Sequence, residues 1–170
     1  MNTEIQAINN FADKLEERSA KLKKLSLDDW LTMSKIESLP EQGYYVYIIF
    51  APNATKVDSI ISGLNNCKSN CNKCKGEVIK KAFPKINRHR QENKDNCVYV
   101  GSSESLKTRI KQHFDDNCTA LTYALHIKCY YKEDDLIVKY ININDRDLMQ
   151  DVEDALWDYY KPVLGKRGQK

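Results

Sequence analysis

The chain has 170 residues, of which 41% are hydrophobic and 30% are charged, and its 27 Lys and Arg against 24 Asp and Glu leave a formal net charge of +3. This length and apolar content predict one ordinary globular domain, with room for an additional arm or insertion. No stretch approaches the ~20 apolar residues of a membrane-spanning helix, and the first residues lack the features of a signal peptide. We therefore expect a cytoplasmic protein with no membrane partner.

The N-terminal forty residues predict two helices. Apolar residues recur every three or four positions between Ile5 and Leu25, as on one face of an amphipathic helix. Ser26 followed by Leu-Asp-Asp is typical of the start of a second helix, which Pro40 would end. Residues 1–42 are therefore predicted to form a helical arm, and the pattern leaves open whether it pairs in a dimer, binds a neighbour or lies across its own domain.

Beyond the arm, strand and helix patterns alternate. Residues 44–50 (Tyr-Tyr-Val-Tyr-Ile-Ile-Phe) and 97–101 (Cys-Val-Tyr-Val-Gly) are rich in β-branched and aromatic residues and predict two strands. The first of them should be central, because both its faces are apolar. The later elements are predicted in the order helix, strand and helix, over residues 104–115, 136–143 and 147–160.

The segment between the first two strands, residues 53–96, is polar and basic and predicts an insertion. From Cys67 to Lys111 the chain carries twelve basic and four acidic residues, a local net charge of +8, whereas the rest of the chain has a net charge of −5. Such an asymmetry favours a phosphate-rich partner. A solvated, half-ordered loop is the alternative.

The spacing of particular polar residues within these elements resembles that of the GIY-YIG nuclease superfamily. Residues 45–47 (Tyr-Val-Tyr) and 99–101 (Tyr-Val-Gly) correspond to the GIY and YIG tripeptides. The family has an arginine ten residues after the YIG tyrosine and a histidine four residues later, which match Arg109 and His113. Its metal-binding glutamate lies nine residues before a proline, as Glu153 does here.

The resemblance covers roughly residues 43–168 and implies an α+β fold. Its centre would be a small three-stranded antiparallel sheet flanked by helices. On this interpretation the nuclease domain is residues 43–170, interrupted by the basic insertion 53–96 and preceded by the helical arm 1–42.

The resemblance also implies a metal-dependent endonuclease of restriction or defence type that hydrolyses phosphodiester bonds. Glu153 would bind Mg²⁺ or Mn²⁺, since Mg²⁺ takes oxygen ligands and needs only one or two carboxylates. Arg109 offers a planar donor fork for phosphate oxygens, and His113 could receive or relay a proton near neutral pH. Tyr47 would act as general base on the attacking water, and Tyr99 would orient the phosphate or the water.

Double-stranded DNA is the expected substrate, cut by a monomer or a homodimer. An RNase on the same fold is an alternative. Basic side chains near the strands and at the tail would bind the phosphate backbone or the grooves. The residues predicted to contact nucleic acid are Lys85, Arg88, His89, Arg90, Lys107, Lys111, Lys166 and Arg167.

Three cysteines within the insertion, Cys67, Cys71 and Cys74, form half of a possible structural zinc site. Thiolates at such short spacing are typical zinc ligands, and His89 or Cys97 could supply the fourth. Three surface thiols in a reducing compartment are the alternative.

One position departs from the family pattern. Many members have an asparagine three residues after the late proline, where this chain has Gly165. Because that asparagine usually supports the site, its absence raises a second functional hypothesis, a nucleic-acid-binding module in which cleavage is weakened or lost.

Overall fold

The chain divides into two units, Met1–Trp30 and Leu31–Lys170. No helix within the described part of the chain is long and apolar enough to cross a membrane. The computed structural model describes residues 3–26, 29–70, 83–115 and 124–168.

Helix α1 (Thr3–Leu22) forms most of the first unit. The amphipathic helix predicted from the apolar spacing near the N-terminus is therefore confirmed. Lys21 lies in its last turn, where a positive charge interacts favourably with the carbonyl end of a helix.

A four-stranded antiparallel sheet is the centre of the second unit. Its strands are β1 (Leu31–Thr32), β2 (Tyr45–Phe50), β3 (Cys97–Ser103) and β4 (Ile137–Asn142), in the spatial order β1-β4-β2-β3. All six residues of β2 are buried between its neighbours, as the apolar pattern on both faces predicts. The expected α+β fold with a central antiparallel sheet is confirmed, with one short strand more than expected.

The prediction of a second N-terminal helix following Ser26 is wrong. The chain is extended at β1, where Leu31 pairs with Tyr140, and the Met33 N–H donates to the Val138 carbonyl at 2.8 Å. The unpaired edge of β4 offers backbone hydrogen bonds, and these outweigh the weak helical tendency of a short segment.

Helix α2 (Ala54–Asn70) occupies the first part of the segment predicted as a polar insertion. Its Val57, Ile60 and Leu64 are buried in the same core as Ile49 of β2. These apolar residues are three and four positions apart, which gives the helix one buried face. This part of the insertion therefore belongs to the core of the domain.

Helix α3 (Leu106–Phe114) follows β3 almost directly. Leu106 and Ile110 are fully buried in the core. Ser105 occupies the N-cap position, and its N–H donates to the Ser103 hydroxyl oxygen at 3.0 Å. The short connection between β3 and α3 fixes the helix close to the strand that it follows.

Helix α4 (Arg146–Tyr160) is the last helix of the described fold. The carboxylate of Asp145 caps it by accepting two N–H groups of its first turn. Val152, Glu153 and Trp157 lie on its buried face. Glu153 is next to Val152 and one turn before Trp157. Its carboxylate therefore lies on the side of the helix that faces the sheet.

Candidate active site

Two tyrosines, one on each of the neighbouring strands β2 and β3, form the base of the candidate site. Tyr47 lies opposite Gly101, and Ile49 lies opposite Tyr99. Directly paired residues point to the same side of a sheet, so both tyrosine side chains share one face. Their ring centroids are 6.1 Å apart, and Tyr47 is fully buried.

Gly101 leaves the space that the two tyrosine rings occupy. A Cβ atom at this position would lie 2.6 Å from the Tyr47 hydroxyl oxygen and 2.6 Å from Cε1 of Tyr99. Both distances are far inside van der Waals contact. The glycine of the YIG-like tripeptide is therefore required by the packing of the tyrosines.

His113 on α3 is fully buried beside these rings. Its Nε2 lies 2.7 Å from the Tyr47 hydroxyl oxygen, and its Nδ1 accepts the backbone N–H of Leu125 at 2.9 Å. A backbone N–H can only donate, so Nδ1 carries no proton and a neutral imidazole must carry its proton on Nε2. His113 therefore donates to Tyr47; the role expected from the sequence was to receive or relay a proton.

The imidazole of His113 is held in its neutral form. Burial, followed by the positive charge of Arg109 and the electrostatic influence of His126, lowers the pKa of His113 well below its ordinary value. The charged form would lose its hydration and be repelled by these neighbours. His113 thus remains a single hydrogen-bond donor to Tyr47 at neutral pH.

Both tyrosines hold their protons at neutral pH. Burial and the neighbouring Tyr99 raise the pKa of Tyr47 well above its ordinary value, and only Arg109 opposes them. Burial likewise raises the pKa of Tyr99. The Arg109 guanidinium interacts with both hydroxyls and donates through Nη1 to Gln112 at 3.1 Å. These four residues (Tyr47, Tyr99, Arg109 and His113) are called the polar cluster below.

Glu153 of α4 reaches β3 from the other side. It is 8% exposed, and the Ser102 hydroxyl donates to its carboxylate. Ser102 is adjacent to Gly101 and so points to the opposite face. The carboxylate acts electrostatically on both Tyr99 and Tyr47 and is itself influenced by the charge of Arg109. Sequence reasoning missed Ser102, since a single serine at the end of a strand carries no specific signal.

The environment of Glu153 fits a hard divalent cation. The pKa of its carboxyl group is raised, because burial has a larger effect than the Ser102 hydrogen bond, which acts in the opposite direction. Within the described segments, no three His, Cys, Asp or Glu residues lie together as a metal-binding group. Mg²⁺ needs few protein ligands because it keeps several waters and binds substrate phosphates. A single buried carboxylate is compatible with that mode of binding.

Gly165, which replaces the family asparagine, lies against Tyr99. Its φ is +101°, and a Cβ atom there would lie 2.7 Å from Cε2 of Tyr99. Its N–H donates to the Lys85 carbonyl at 2.9 Å. An asparagine would clash with the tyrosine and strain the backbone. This glycine is therefore a packing partner of the polar cluster.

Two basic segments lie next to each other close to Gly165. Ile86 and Leu164 form an isolated antiparallel bridge, and the Asn87 N–H donates to the Val163 carbonyl at 2.9 Å. The bridge joins residues 83–90 of the insertion to the segment after α4. Exposed side chains carried by these two segments are Lys85, Arg88, Arg90, Lys166 and Arg167.

Three of the predicted nucleic-acid contacts have protein partners. His89 packs edge-on against Trp157 with centroids 4.7 Å apart, so its ring is less available to DNA than the exposed arginines beside it. Lys107 pairs with Glu41 at 3.0 Å, and Arg167 pairs with Asp158 at 2.6 Å. Surface ion pairs of this kind contribute little to stability. Lys111 is exposed on α3.

The predicted zinc site falls mostly outside the described residues, which do not include Cys71 and Cys74. Cys67 lies on α2 and is partly buried. Cys97 is buried within β3, where its thiol donates to the Tyr99 carbonyl and burial raises its pKa. Zinc binds the thiolate, so this environment argues against Cys97 as the fourth ligand.

A family model described as the GIY-YIG catalytic domain matches residues 45–128, which contain all four members of the polar cluster. The match assigns the chain to a nuclease-type class of proteins. The chain belongs to the GIY-YIG nuclease superfamily. No curated protein and no solved structure matches it. Members of the superfamily generally use divalent metal ions.

Proposed function

We propose that the protein is a metal-dependent endonuclease that hydrolyses phosphodiester bonds in double-stranded DNA. The observation that carries the proposal is the polar cluster on β2, β3 and α3, with the buried carboxylate of Glu153 close enough to influence both tyrosines electrostatically. Phosphodiester hydrolysis needs a base, an anchored phosphate and compensation of the developing negative charge. The cluster and the carboxylate together supply groups for each of these needs.

Arg109 anchors the scissile phosphate in this proposal. Its planar guanidinium can bind two phosphate oxygens at once, and it lies beside the hydroxyls of Tyr47 and Tyr99. A phosphate bound there is therefore within reach of a phenol on either side. Tyr99 orients the phosphate or the attacking water by a hydrogen bond.

Tyr47 is the base that takes the proton of the attacking water. Its phenolate oxygen would accept hydrogen bonds from Nε2–H of His113 and from Arg109, and both favour the charged form. In the absence of substrate, burial outweighs these effects and the phenol stays protonated. The proposed site therefore acquires its base only when further positive charge is present.

Glu153 would hold a divalent cation, Mg²⁺ or Mn²⁺. Such a cation, when bound, polarises the phosphate and stabilises the leaving 3′-oxygen. Ser102 donates to one oxygen of the carboxylate and so restricts its rotation. A fixed carboxylate binds a cation more strongly than a freely rotating one, because less conformational entropy is lost.

DNA as the substrate is supported by the joined basic segments. The bridge at Ile86 and Leu164 places the segment that carries exposed Lys85, Arg88 and Arg90 against the segment that carries exposed Lys166. Gly165 in the same segment touches Tyr99, so Lys166 is one residue away from a direct contact with the polar cluster. We infer a restriction- or defence-type enzyme in which these basic segments hold the duplex while the cluster cuts one strand.

Cleavage of supercoiled plasmid with Mg²⁺ tests the proposal. Wild-type protein is expected to nick or linearise the plasmid, and Tyr47→Phe to reduce the rate by about a hundredfold or more, because a general base contributes roughly 10²–10⁴-fold. Tyr45→Phe is the matched control, since the Tyr45 hydroxyl donates to the Gln42 carbonyl, outside the polar cluster.

Three results of the plasmid assay would change the proposal. Plasmid binding by the wild type without any cleavage would contradict an active enzyme. Equal rates for the wild type and Tyr47→Phe would exclude Tyr47 as the base. Preferential cutting of a duplex RNA of the same sequence would favour the RNase alternative.

The rate of cleavage at limiting DNA, which reports the pKa values of the free enzyme, should rise by close to tenfold per pH unit between about pH 6.5 and about pH 8.5. The pKa of Tyr47 is raised above its ordinary value, so the phenolate fraction is small at neutral pH and grows with each unit of pH. DNA affinity measured over the same range separates this effect from binding. A plateau starting near pH 7 would indicate a base with an ordinary histidine pKa and would contradict the assignment.

A further inference from the structure

The backbone of Leu125 is held on both sides. Its N–H donates to Nδ1 of His113 at 2.9 Å, and its carbonyl accepts the Tyr130 hydroxyl at 3.0 Å. The next residue, His126, is 1% exposed, and its Nδ1–H donates to the carboxylate of Asp115 at 2.6 Å. We call Asp115, His126 and Tyr130 the Leu125 clamp.

We propose that the Leu125 clamp positions the Leu125 N–H so that His113 is confined to the tautomer that donates to Tyr47. The inference rests on the proposed function, because it assigns the clamp a part in preparing the base. Asp115, His126 and Tyr130 are positioning residues, since each acts through Leu125.

Asp115 gives the clamp its geometric precision. It is the C-cap residue of α3, the helix that carries His113. The Asp115–His126 hydrogen bond therefore ties the Leu125–His126 segment to the end of the same helix, two residues after His113. A donor anchored to that helix keeps its distance to Nδ1 even if the helix shifts against the sheet.

The backbone conformation of His126 supports the same conclusion. Its φ is +48° and its ψ is 46°, in the left-handed region, which non-glycine residues adopt at a cost and for which histidine and asparagine are better suited than most. Such a conformation persists where surrounding contacts over-determine it. At His126 these contacts are the hydrogen bond of its side chain to Asp115 and the two backbone hydrogen bonds of the preceding residue, Leu125.

The tautomer of His113 determines whether Tyr47 receives a hydrogen bond from it. Tyr47 and Tyr99 approach from the sheet, Arg109 lies one turn earlier on α3, and His126 lies beyond Leu125. With Nδ1 protonated, Nε2 could only accept, and Tyr47 would lose a donor to its oxygen. The Leu125 N–H removes that alternative, because a protonated Nδ1 would confront another donor.

Long-range ¹H–¹⁵N spectra of the full-length protein labelled at histidine test the inference directly. The chain has only three histidines, His89, His113 and His126, and a His113→Gln spectrum assigns the signals. We expect a pyridine-like Nδ1 and a pyrrole-like Nε2 for His113 in the wild type. Asp115→Ala should convert this to a mixture of tautomers, whereas Asp115→Asn retains an acceptor for His126 and should keep the wild-type pattern.

Plasmid cleavage by the same variants connects the tautomer to activity. Asp115→Ala should lower kcat by about tenfold to a hundredfold, the usual effect of removing a group that orients a functional histidine, with DNA affinity changed by less than about twofold. His126→Asn keeps a side chain that tolerates the left-handed conformation and should lose less than His126→Ala. Tyr130→Phe removes one hydrogen bond without altering the packing and should give a small change in the same direction.

Two results would overturn the inference. One is a His113 spectrum that is the same in the wild type and in folded Asp115→Ala and His126→Ala proteins. The other is a wild-type His113 with its proton on Nδ1. The spectra do not require cleavage, so a wild type that binds DNA without cutting it would refute the proposed function and leave the test of the clamp intact.

Discussion

Replacing Glu153 with glutamine is expected to abolish cleavage while raising the melting temperature by a few degrees. Burial raises the pKa of this carboxyl group, so the ionised form costs free energy in the folded protein. Glutamine removes the charge and keeps an oxygen that can accept the Ser102 hydroxyl. Activity should fall by more than about a hundredfold, because a bound cation contributes several kcal/mol to the transition state.

The stability change has a predictable pH dependence. A raised carboxyl pKa means that the folded state binds its proton more tightly than the unfolded state, so the stability of the wild type falls as pH rises from the unfolded pKa, about 4.3, through the raised folded value. The melting temperatures of wild type and Glu153→Gln should therefore be closest near pH 4 and diverge toward neutral pH. Thermal unfolding at a series of pH values measures this.

Asp154→Asn is the matched control for Glu153→Gln. Asp154 is the next residue on α4 and accepts a hydrogen bond from Gln150, so this substitution removes a neighbouring charge without touching β3. It should cut plasmid at close to the wild-type rate. If Glu153→Gln cuts as well as Asp154→Asn with Mg²⁺, then Glu153 does not hold the required cation.

The second large effect is expected for Gly101→Ala. The added methyl group would overlap the Tyr47 hydroxyl and the Tyr99 ring, and Tyr47 is fully buried. Overpacking of this kind costs about 1–3 kcal/mol of unfolding free energy. Displacing the Tyr47 oxygen also breaks its contact with His113, so cleavage should fall by at least about tenfold. Chemical denaturation and plasmid cleavage measure the two effects.

A double variant separates the steric cause from a general loss of structure. Gly101→Ala combined with Tyr47→Phe removes the hydroxyl that the methyl group meets. It should recover part of the stability lost in Gly101→Ala, because the two residues are in contact and their effects are not additive. No activity should return, since the proposed base is gone. Additive losses of stability would show that the clash at Tyr47 is not the cause.

The main strands and the late helix could be predicted from local sequence. The apolar run around Tyr47 is long enough and apolar enough on both faces to specify a central strand whatever surrounds it. The i, i+4 spacing of Arg109 and His113 places both on one side of a helix. Such patterns involve residues that are close in sequence, so the element can be predicted without knowing what it packs against.

Helix α2 and strand β1 could not be predicted from local patterns. Val57, Ile60 and Leu64 have helical spacing, but they lie in a segment that is polar and basic overall, and its average composition hides the short apolar pattern. For Leu31, local helix signals were present, and the strand exists because β4 has an edge to be paired. Pairing with a strand more than a hundred residues away leaves no local signal.

The sequence by itself determined the superfamily resemblance and the residues Tyr47, Tyr99, Arg109, His113 and Glu153 as the candidate site, because their types and spacings are local properties. Only the tertiary structure decided how they could act. The direction of the His113 hydrogen bond depends on the Leu125 N–H, and the space for two tyrosines depends on Gly101 and Gly165. Proton positions and excluded volume are set by atoms from distant segments, and so they follow from the folded arrangement alone.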